Sequence, residues 1–316
     1  MLCIEYESEG FPQPCPVPNG PGTLQLKWDD LLWAALTVGR PNRQYVFRHG
    51  ASSVYEGIFR LSLVRMALEQ YGPVARRLRR TDAAKTLDPT EKGAVNYFLG
   101  MTVCKLFAAK LLDTPWLLHL DVFRPQLNPV LTGRSRPDLI GQSQAGLWIA
   151  MESKGRLSFP DAPAKSKAKD QANRCISVSG SPVSCHIGSI AYFKNDVLRF
   201  FWRDPQPEFD ELSPGIRLSP DEKVWHHYYA PVLELVKSPR PNIGSKLAEP
   251  TLVPIEQTDV QVGIEPHVFR FLVEGQWNTA KEWCVENARL LHQEGLYPDG
   301  IRIVAGESWS KPFEER

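Results

Sequence analysis

The order of the predicted elements indicates an α/β protein in which helices flank a central mixed β-sheet. From residue 89 onward, a capped helix is followed by three strand-like segments, a polar helix and two more strand-like segments. Elements in this order pack as layers, with the helices on the faces of the sheet. The composition, 42% hydrophobic and 23% charged residues, is ordinary for a globular protein with a sizeable core.

Residues 1–88 are predicted to form a mainly helical N-terminal region. Turns such as PNGPG (18–22) interrupt short apolar runs in the first 50 residues. Between residues 53 and 71, apolar side chains recur at helical spacing, namely Val54, Ile58, Leu61, Val64 and Leu68. A basic run, ARRLRR, follows at 75–80.

Residues 89–204 are predicted to form the core of the fold. The first helix has Asp88 as its N-cap, Pro89 in the first position and Glu91 in the third, and it ends near Leu112. The segments that follow are strands at 116–123, 138–140 and 146–154, a polar helix at 163–176, and strands at 184–193 and 197–202. The turn-forming segment GQSQAG separates the second and third strands and favours a hairpin there.

Residues 205–316 are predicted to form an α/β extension packed on or beside the core. Proline-rich connections begin this region and recur at 239–254. Between and after them, the patterns indicate a helix at 225–236, a strand at 258–264, an amphipathic helix at 276–293 and a strand at 300–306.

The chain as a whole lacks the features of a membrane or secreted protein. Its start, MLCIEYESEG, has no basic and apolar signal regions, and its most continuous apolar stretch, LLWAALTVG (31–39), is too short to cross a bilayer. The six cysteines show no CxxC spacing, and we expect them to be reduced. We therefore expect a cytoplasmic protein that does not associate with a membrane.

The segment RPDLIGQSQAGLWIAMESKGR (136–156) carries the residues that bear on function. Side chains alternate between the two faces of a strand, so Glu152 and Lys154 point to the same side. We expect the other side to be anchored in the core by Leu147, Ile149 and Met151. If the preceding strand pairs with this one as a hairpin, Asp138 lies across from Glu152 at about 5 Å.

The dipeptide Pro-Asp is by itself uninformative, because it occurs four times, at Pro137, Pro160, Pro220 and Pro298. Only the copy at Asp138 is followed, at a suitable spacing and in strand context, by an acid-x-lysine triplet. The other such triplet, Asp221-Glu222-Lys223, lies in a proline-rich loop. A surface hairpin that happens to carry charges remains the alternative interpretation of residues 136–156.

Two carboxylates and a lysine are the minimum set for metal-assisted hydrolysis of a phosphodiester. Neighbouring carboxylates repel each other unless a cation joins them, and Mg²⁺ prefers carboxylate oxygen while it keeps several waters. The metal would polarise the phosphorus centre and lower the pKa of its bound water. Lys154 would orient or deprotonate that water and stabilise the developing charge.

Pro137-Asp138 followed by Glu152-Ser153-Lys154 resembles the signature of the PD-(D/E)XK nuclease superfamily, which has the restriction-endonuclease-like fold. The element order from about 89 to 202, roughly a third of the chain, is similar to that family's helix-strand-strand-strand-helix-strand core. The resemblance implies cleavage of DNA, less often RNA, with Mg²⁺ or Mn²⁺ as cofactor. It also implies a role in defence against foreign DNA.

The resemblance assigns a role to each matching residue. It implies that Asp138, Glu152 and the backbone carbonyl of Ser153 bind the metal and that Lys154 serves the water. Gln171 matches a glutamine that orders the site in some branches of the superfamily. The RecB-like branch has a tyrosine four positions after that glutamine, where Cys175 stands in this chain.

Three further sets of residues are candidates on weaker grounds. The family often has an upstream acid on its first core helix, for which Glu91, at a capping-box position, and Glu56 are the candidates. Basic residues that could contact a phosphate backbone are Lys165, Lys167 and Lys169, and also Arg76, Arg77, Arg79 and Arg80. Solvated helix faces are the alternative for both basic groups, and His119 is expected to pack within its strand.

An alternative function is that of a non-catalytic nucleic-acid-binding or assembly subunit that retains the nuclease fold. The proline-rich connections suit docking to a protein partner or to a second copy of the chain. The net charge of +1 suits a protein that needs help to hold DNA. The intact Asp138, Glu152 and Lys154 favour the catalytic alternative.

Overall fold

The computed structural model describes residues 1–12, 17–38, 51–72, 76–122, 127–130, 135–205, 215–221, 224–237 and 252–311. Within these residues the protein is an α/β protein with a large mixed central sheet, helices packed on it and two small additional sheets. None of the helices in these segments is long and apolar enough to span a membrane.

Among its described residues, the N-terminal region supplies four strands to the central sheet in addition to three helices. Its elements are β1 (Leu2–Glu9), β2 (Gly20–Leu26), α1 (Trp28–Thr37), α2 (Ala51–Ala67), β3 (Leu68–Tyr71), β4 (Arg76–Arg80) and α3 (Asp82–Thr86). The helix expected to reach Tyr71 ends at Ala67, since β3 instead pairs antiparallel with β4. Strand β1 pairs antiparallel with β2 and parallel with β4.

The order of elements expected between residues 89 and 204 is confirmed, with two short strands added. These elements are α4 (Pro89–Leu111), β5 (Trp116–His119), β6 (Leu139–Gln142), β7 (Trp148–Gly155), α5 (Ala162–Ala172), β8 (Cys175–Val178), β9 (Ser181–Pro182), β10 (Cys185–Lys194) and β11 (Val197–Arg203). Helix α4 begins as predicted, with the Asp88 side chain accepting hydrogen bonds from the backbone N–H groups of Thr90 and Glu91.

The C-terminal region adds helices and a small sheet. Its elements are β12 (Ile216–Leu218), α6 (Val224–Lys237), β13 (Val253–Ile255), β14 (Val260–Ile264), α7 (Pro266–Val273), α8 (Trp277–Glu286), α9 (Ala288–Gln293) and β15 (Ile301–Ala305). The single amphipathic helix expected at 276–293 is two helices, separated at Asn287. Most of the two proline-rich connections lies outside the described residues.

The central sheet has nine strands among the described residues, in the order β2-β1-β4-β11-β10-β7-β6-β5, with β3 added on β4. Strands β5, β6 and β7 form an antiparallel meander, and β10 lies parallel to β7. Strand β11 is antiparallel to β10 and also pairs with β1, which joins the N-terminal strands to the core. The sheet therefore crosses the boundary between the first two regions.

Helix α4 lies unusually close to the end of β7, because glycines stand on both sides of the contact. A Cβ atom on Gly100 would lie 2.9 Å from the backbone nitrogen of Gly155. A Cβ atom on Gly155 would lie 1.6 Å from the carbonyl oxygen of Asn96. Neither position has room for a side chain without separation of the helix from the strand.

The redox state of the described cysteines agrees only in part with the expectation that all of them are reduced. Cys3, Cys104, Cys175 and Cys284 are free and buried. Cys185 is disulfide-bonded, so the expectation is wrong at that position.

Substitution of Gly100 is expected to destabilise the protein, whereas the same substitution seven residues earlier is not. Gly100→Ala forces α4 away from β7 and should lower the free energy of unfolding by about 1–3 kcal/mol. A Cβ atom on Gly93, in the same helix, would meet no neighbouring side chain or strand within 4 Å. Gly93→Ala should raise the free energy of unfolding by up to about 1 kcal/mol, since alanine favours a helix. Urea unfolding of both variants measures the difference, and equal effects would contradict the close contact.

Candidate active site

The β6–β7 ladder brings Asp138 and Glu152 together, as the sequence predicted for a hairpin. Leu139 pairs with Met151, so Asp138, the preceding residue, faces Glu152. The backbone N–H of Asp138 donates to Oε2 of Glu152 at 3.1 Å. In return, the backbone N–H of Ser153 donates to Oδ2 of Asp138 at 3.0 Å. The two carboxylates are thus fixed to each other's strands by backbone hydrogen bonds.

Lys154 completes the triplet on the same side of β7. Its Nζ donates a hydrogen bond to Oε1 of Glu152 and forms an ion pair with it. The Glu152 side chain is fully buried, while that of Lys154 is 34% exposed. The amine therefore lies between the buried carboxylate and solvent, where it can reach an incoming group.

The carbonyl of Ser153 faces the same place as the two carboxylates. In a strand, the N–H and the C=O of one residue point to the same side. The N–H of Ser153 points to Asp138, which directly precedes β6. The carbonyl of Ser153 therefore also faces this side of β7. On the opposite side, the carbonyl of Glu152 accepts a hydrogen bond from Oγ of Ser189 at 2.9 Å. The strand geometry therefore directs the Ser153 carbonyl to the side of β7 on which Asp138 lies.

Burial and mutual repulsion make the charged forms of the Asp138 and Glu152 carboxyl groups unfavourable. Burial raises the pKa of Glu152 to about 7, with a further increase from the charge of Asp138. Burial also raises the pKa of Asp138, although the Ser153 N–H and the charge of Lys154 oppose this effect. Each carboxyl would bind a cation that compensates for its lost hydration.

Strand β7 is an interior strand, which excludes the alternative of a surface hairpin. It lies between β6 and β10 in the sheet. The expectation for Leu147 was wrong: it precedes β7 and is 37% exposed, whereas Ile149 and Met151 are buried as expected. Ala150 and Glu152, on the other face, are buried as well.

Helix α5 covers the face that bears Glu152. Gly188 pairs with Glu152 in the parallel β7–β10 ladder, and a Cβ atom on Gly188 would lie 2.5 Å from the backbone nitrogen of Lys169. Gln171 lies less than one turn further along this helix, and its Oε1 is buried without a hydrogen-bond partner among the described residues. An amide oxygen in this state is available to a water or a ligand.

The three lysines of α5 occupy different environments. Lys167 is exposed, and the Nζ of Lys165 lies 3.8 Å from the centre of the Phe201 ring. Lys169 is only 5% exposed, and its Nζ bonds to Asp204 and to the carbonyl oxygen of His186. Lys169 is therefore held inside the protein and does not present its charge to solvent.

The remaining candidates have structural partners. Glu91 closes the capping box of α4, since its Oε2 accepts a hydrogen bond from the backbone N–H of Asp88 at 3.3 Å. Glu56 forms an ion pair with Arg60 at 2.7 Å. The arginines of β4 lie on a strand, and three of them form ion pairs with acids, namely Arg77 with Glu5, Arg79 with Glu69 and Arg80 with Asp196.

Sequence reasoning missed Tyr97, which the fold brings to His119 at the edge of the site. Its hydroxyl is 2.9 Å from Nε2 of His119. Burial raises the pKa of Tyr97 to about 12, and the charges of Asp138 and Glu152 contribute to the increase. No pattern in the sequence distinguishes Tyr97, because it is one of several exposed residues on a helix that also carries a long apolar stripe.

The donors at the site fit a hard divalent cation. Carboxylate and carbonyl oxygens are the ligands that Mg²⁺ and Mn²⁺ take in proteins. Among the described residues, no cluster of three or more His, Cys, Asp or Glu side chains could hold a metal. A cation here would depend on two carboxylates, one backbone carbonyl and water.

Comparison with known proteins finds no similar protein. The chain matches no protein-family model, no curated protein and no solved structure significantly. The function must therefore be argued from the geometry of the residues themselves.

The raised pKa of Glu152 predicts a pH-dependent stability. The carboxyl ionises near pH 4.5 in the unfolded chain and near pH 7 in the folded one. Between these values the folded state binds more protons, so the free energy of unfolding decreases as the pH rises from 4.5 through 7. Glu152→Gln removes this ionisation and should make the metal-free protein more stable than wild type at pH 8, by about 2 kcal/mol.

Urea unfolding at pH 5 and pH 8 in the presence of a chelator measures this effect. The two proteins should differ little at pH 5, where Glu152 is protonated in the folded state. Glu294→Gln, at an exposed position, is the control and should change neither value. A Glu152→Gln variant that is less stable than wild type at pH 8 would contradict the unfavourable burial of this carboxylate.

Proposed function

We propose that this protein is a metal-dependent nuclease that hydrolyses phosphodiester bonds, with DNA as the favoured substrate. The observation that carries the proposal is the convergence of Asp138 and Glu152, both with raised pKa values, beside Lys154. Clustered groups with perturbed pKa values are typical of functional sites. The same arrangement would be a costly way to stabilise a fold.

The chain order of the elements around the site supports the proposal. Helix α4, the meander β5-β6-β7, helix α5 and strand β10 follow the helix-strand-strand-strand-helix-strand order of the PD-(D/E)XK core. Asp138 stands directly before the second strand, and the triplet lies near the end of the third. The residues to which the resemblance assigns catalytic roles thus lie at neighbouring strand ends.

Asp138, Glu152 and the carbonyl of Ser153 would hold Mg²⁺ or Mn²⁺. When bound, the cation would lower the pKa of a water ligand and neutralise charge on a phosphate oxygen. The backbone hydrogen bonds to Asp138 and Glu152 keep both carboxylates in position before any ligand arrives. Little reorganisation is then required, which favours catalysis.

Lys154 and Gln171 would act on the nucleophile. The Lys154 amine lies at the solvent side of Glu152, where it can donate hydrogen bonds to the attacking water and to a non-bridging phosphate oxygen. The unpartnered Oε1 of Gln171 can accept a hydrogen bond from that water and so fix its direction. The exposed Lys167 would contact the phosphate backbone, and the half-buried Lys165, whose amine now lies over the Phe201 ring, is the second candidate for such a contact.

Removal of either Asp138 or Lys154 is expected to abolish cleavage. With Mg²⁺ or Mn²⁺, the purified protein should nick or degrade DNA, and Asp138→Ala or Lys154→Ala should lower the rate by about 10³-fold or more. Asp221→Ala is the matched control, because Asp221 also follows a proline and begins an acid-x-lysine triplet, but in a loop. Undiminished cutting by both site variants would contradict the proposal.

Metal titration separates this proposal from a non-catalytic nucleic-acid-binding subunit. Calorimetry with Mn²⁺ should show binding by the wild type and by Asp221→Ala, and no binding by Asp138→Ala. Wild-type protein that binds DNA without any Asp138-dependent metal binding would favour the non-catalytic alternative.

Two lysines of α5 are expected to have different roles, Lys167 in DNA binding and Lys169 in the stability of the fold. Lys167→Ala should weaken DNA binding at every sequence and reduce the slope of log affinity against log salt by about one. Lys169→Ala leaves Asp204 buried without its cation and should instead lower the free energy of unfolding by about 3–5 kcal/mol. Fluorescence anisotropy at several salt concentrations and urea unfolding measure the two effects. An unchanged salt slope for Lys167→Ala would remove this residue from the proposed interface.

A further inference from the structure

Tyr97 and His119 form a hydrogen-bonded pair at the edge of the candidate site. His119 is the last residue of β5 and pairs with Leu139, the residue after Asp138. The backbone N–H of Leu120 donates to the carbonyl oxygen of Asp138 at 2.8 Å. The chain around His119 therefore holds Asp138 in place, and the Tyr97 hydroxyl lies 2.9 Å from the imidazole Nε2.

The hydrogen bonds of His119 determine which atom carries its proton. The backbone N–H of Val122 donates to Nδ1 at 3.3 Å, so Nδ1 accepts and the proton of the neutral ring is on Nε2. Nε2 then donates to the Tyr97 oxygen. The hydroxyl proton of Tyr97 is not used in this bond and is available to a further acceptor.

The surroundings of the pair keep both groups in these protonation states. Burial lowers the pKa of His119, which favours the neutral imidazole, although the charges of Asp138 and Asp121 oppose the effect and those of Arg60 and Arg136 add to it. The pKa of Tyr97 is raised by burial and by nearby carboxylates, against the opposing charge of Arg60. The tyrosine thus remains a hydrogen-bond donor across the physiological range.

We propose that the Tyr97 hydroxyl, oriented by His119, donates a hydrogen bond to a phosphate oxygen of the substrate. This inference rests on the proposed function. The side chain is 47% exposed, so it extends from α4 toward solvent, and it is close enough to the site for the charges of Asp138 and Glu152 to act on it. A donor in this place complements an anionic oxygen of a nucleic-acid strand, whereas a neutral cosubstrate would gain less from it. Tyr97 acts as a substrate-binding residue, and His119 as its positioning residue.

Substitution of Tyr97 should weaken nucleic-acid binding without a change in metal binding. Tyr97→Phe should reduce affinity for a fluorescein-labelled DNA oligonucleotide, measured by anisotropy with Ca²⁺ to prevent cleavage, by about tenfold. The KM for cleavage with Mg²⁺ should rise by a similar factor. Tyr71→Phe is the control, because Tyr71 is also half-exposed but lies on β3 against Arg79.

Variants of His119 test the positioning role. His119→Leu should reproduce the loss seen in Tyr97→Phe, and the double variant should lose no more than either single one. His119→Gln keeps an N–H donor near the place of Nε2 and should recover most of the affinity. Unfolding temperatures identify any variant that loses affinity because it fails to fold.

The outcomes separate this inference from the proposed function. Asp138-dependent cleavage together with wild-type affinity and KM in Tyr97→Phe would overturn the inference alone. A loss of Mn²⁺ affinity in Tyr97→Phe, equal to its loss of DNA affinity, would also overturn it, because the hydroxyl would then serve Asp138. Wild-type protein that neither binds nor cleaves the oligonucleotide would overturn both.

Discussion

The candidate site depends on the distance between the sheet and the two helices that cover it. On one face, Gly155 allows the backbone of α4 to lie directly on the end of β7, where a Cβ atom would be 1.6 Å from the Asn96 oxygen. On the other face, Gly188 lies beside Glu152 in the sheet and allows α5 the same close approach. A larger residue at either position would move a helix outward. The burial that raises the pKa of Glu152 would then be lost, and Tyr97, next to Asn96, would no longer reach His119.

A buried polar network joins the helix of the site to the flanking regions. Lys105 on α4 donates to the hydroxyl of Tyr228 on α6 at 2.8 Å, and this hydroxyl donates to Asp299 at 2.6 Å. Trp33 on α1 also donates to Asp299, at 2.9 Å. Burial lowers the pKa of Lys105 to about 7, and the charge of Asp299 opposes that decrease. Such a network is favourable only when every member has its partner. The N- and C-terminal elaborations therefore hold α4, and with it the site, in a single position.

The sequence predicted the core elements well because local signals agree there with the tertiary structure. The capping box at Asp88, the turn before β7 and the alternation through Glu152 each act within a few residues. Strand β1 was missed because Leu2, Cys3 and Ile4 are all buried and so show no alternation, and because the acidic Glu5, Glu7 and Glu9 make the rest of the segment polar. The environments of Lys169 and Tyr97 could not be predicted, since their partners Asp204 and His119 are distant in sequence and meet them only through the fold.

The balance of charge at the site favours the binding of a cation there. Elsewhere on the sheet, Glu5 is matched by two arginines, Arg77 and Arg199. Between β6 and β7 the proportion is reversed, because one lysine faces two carboxylates in a more buried place. Proton uptake by Glu152 can relieve this imbalance in the metal-free protein, at a pH near its pKa. In the proposed function, a divalent cation would relieve it without protonation, and the Lys154 amine, no longer needed as a counter-ion of Glu152, would be available to the nucleophile. The deficit of positive charge thus favours metal binding, and in the proposed function the same binding event would free the lysine for the attacking water.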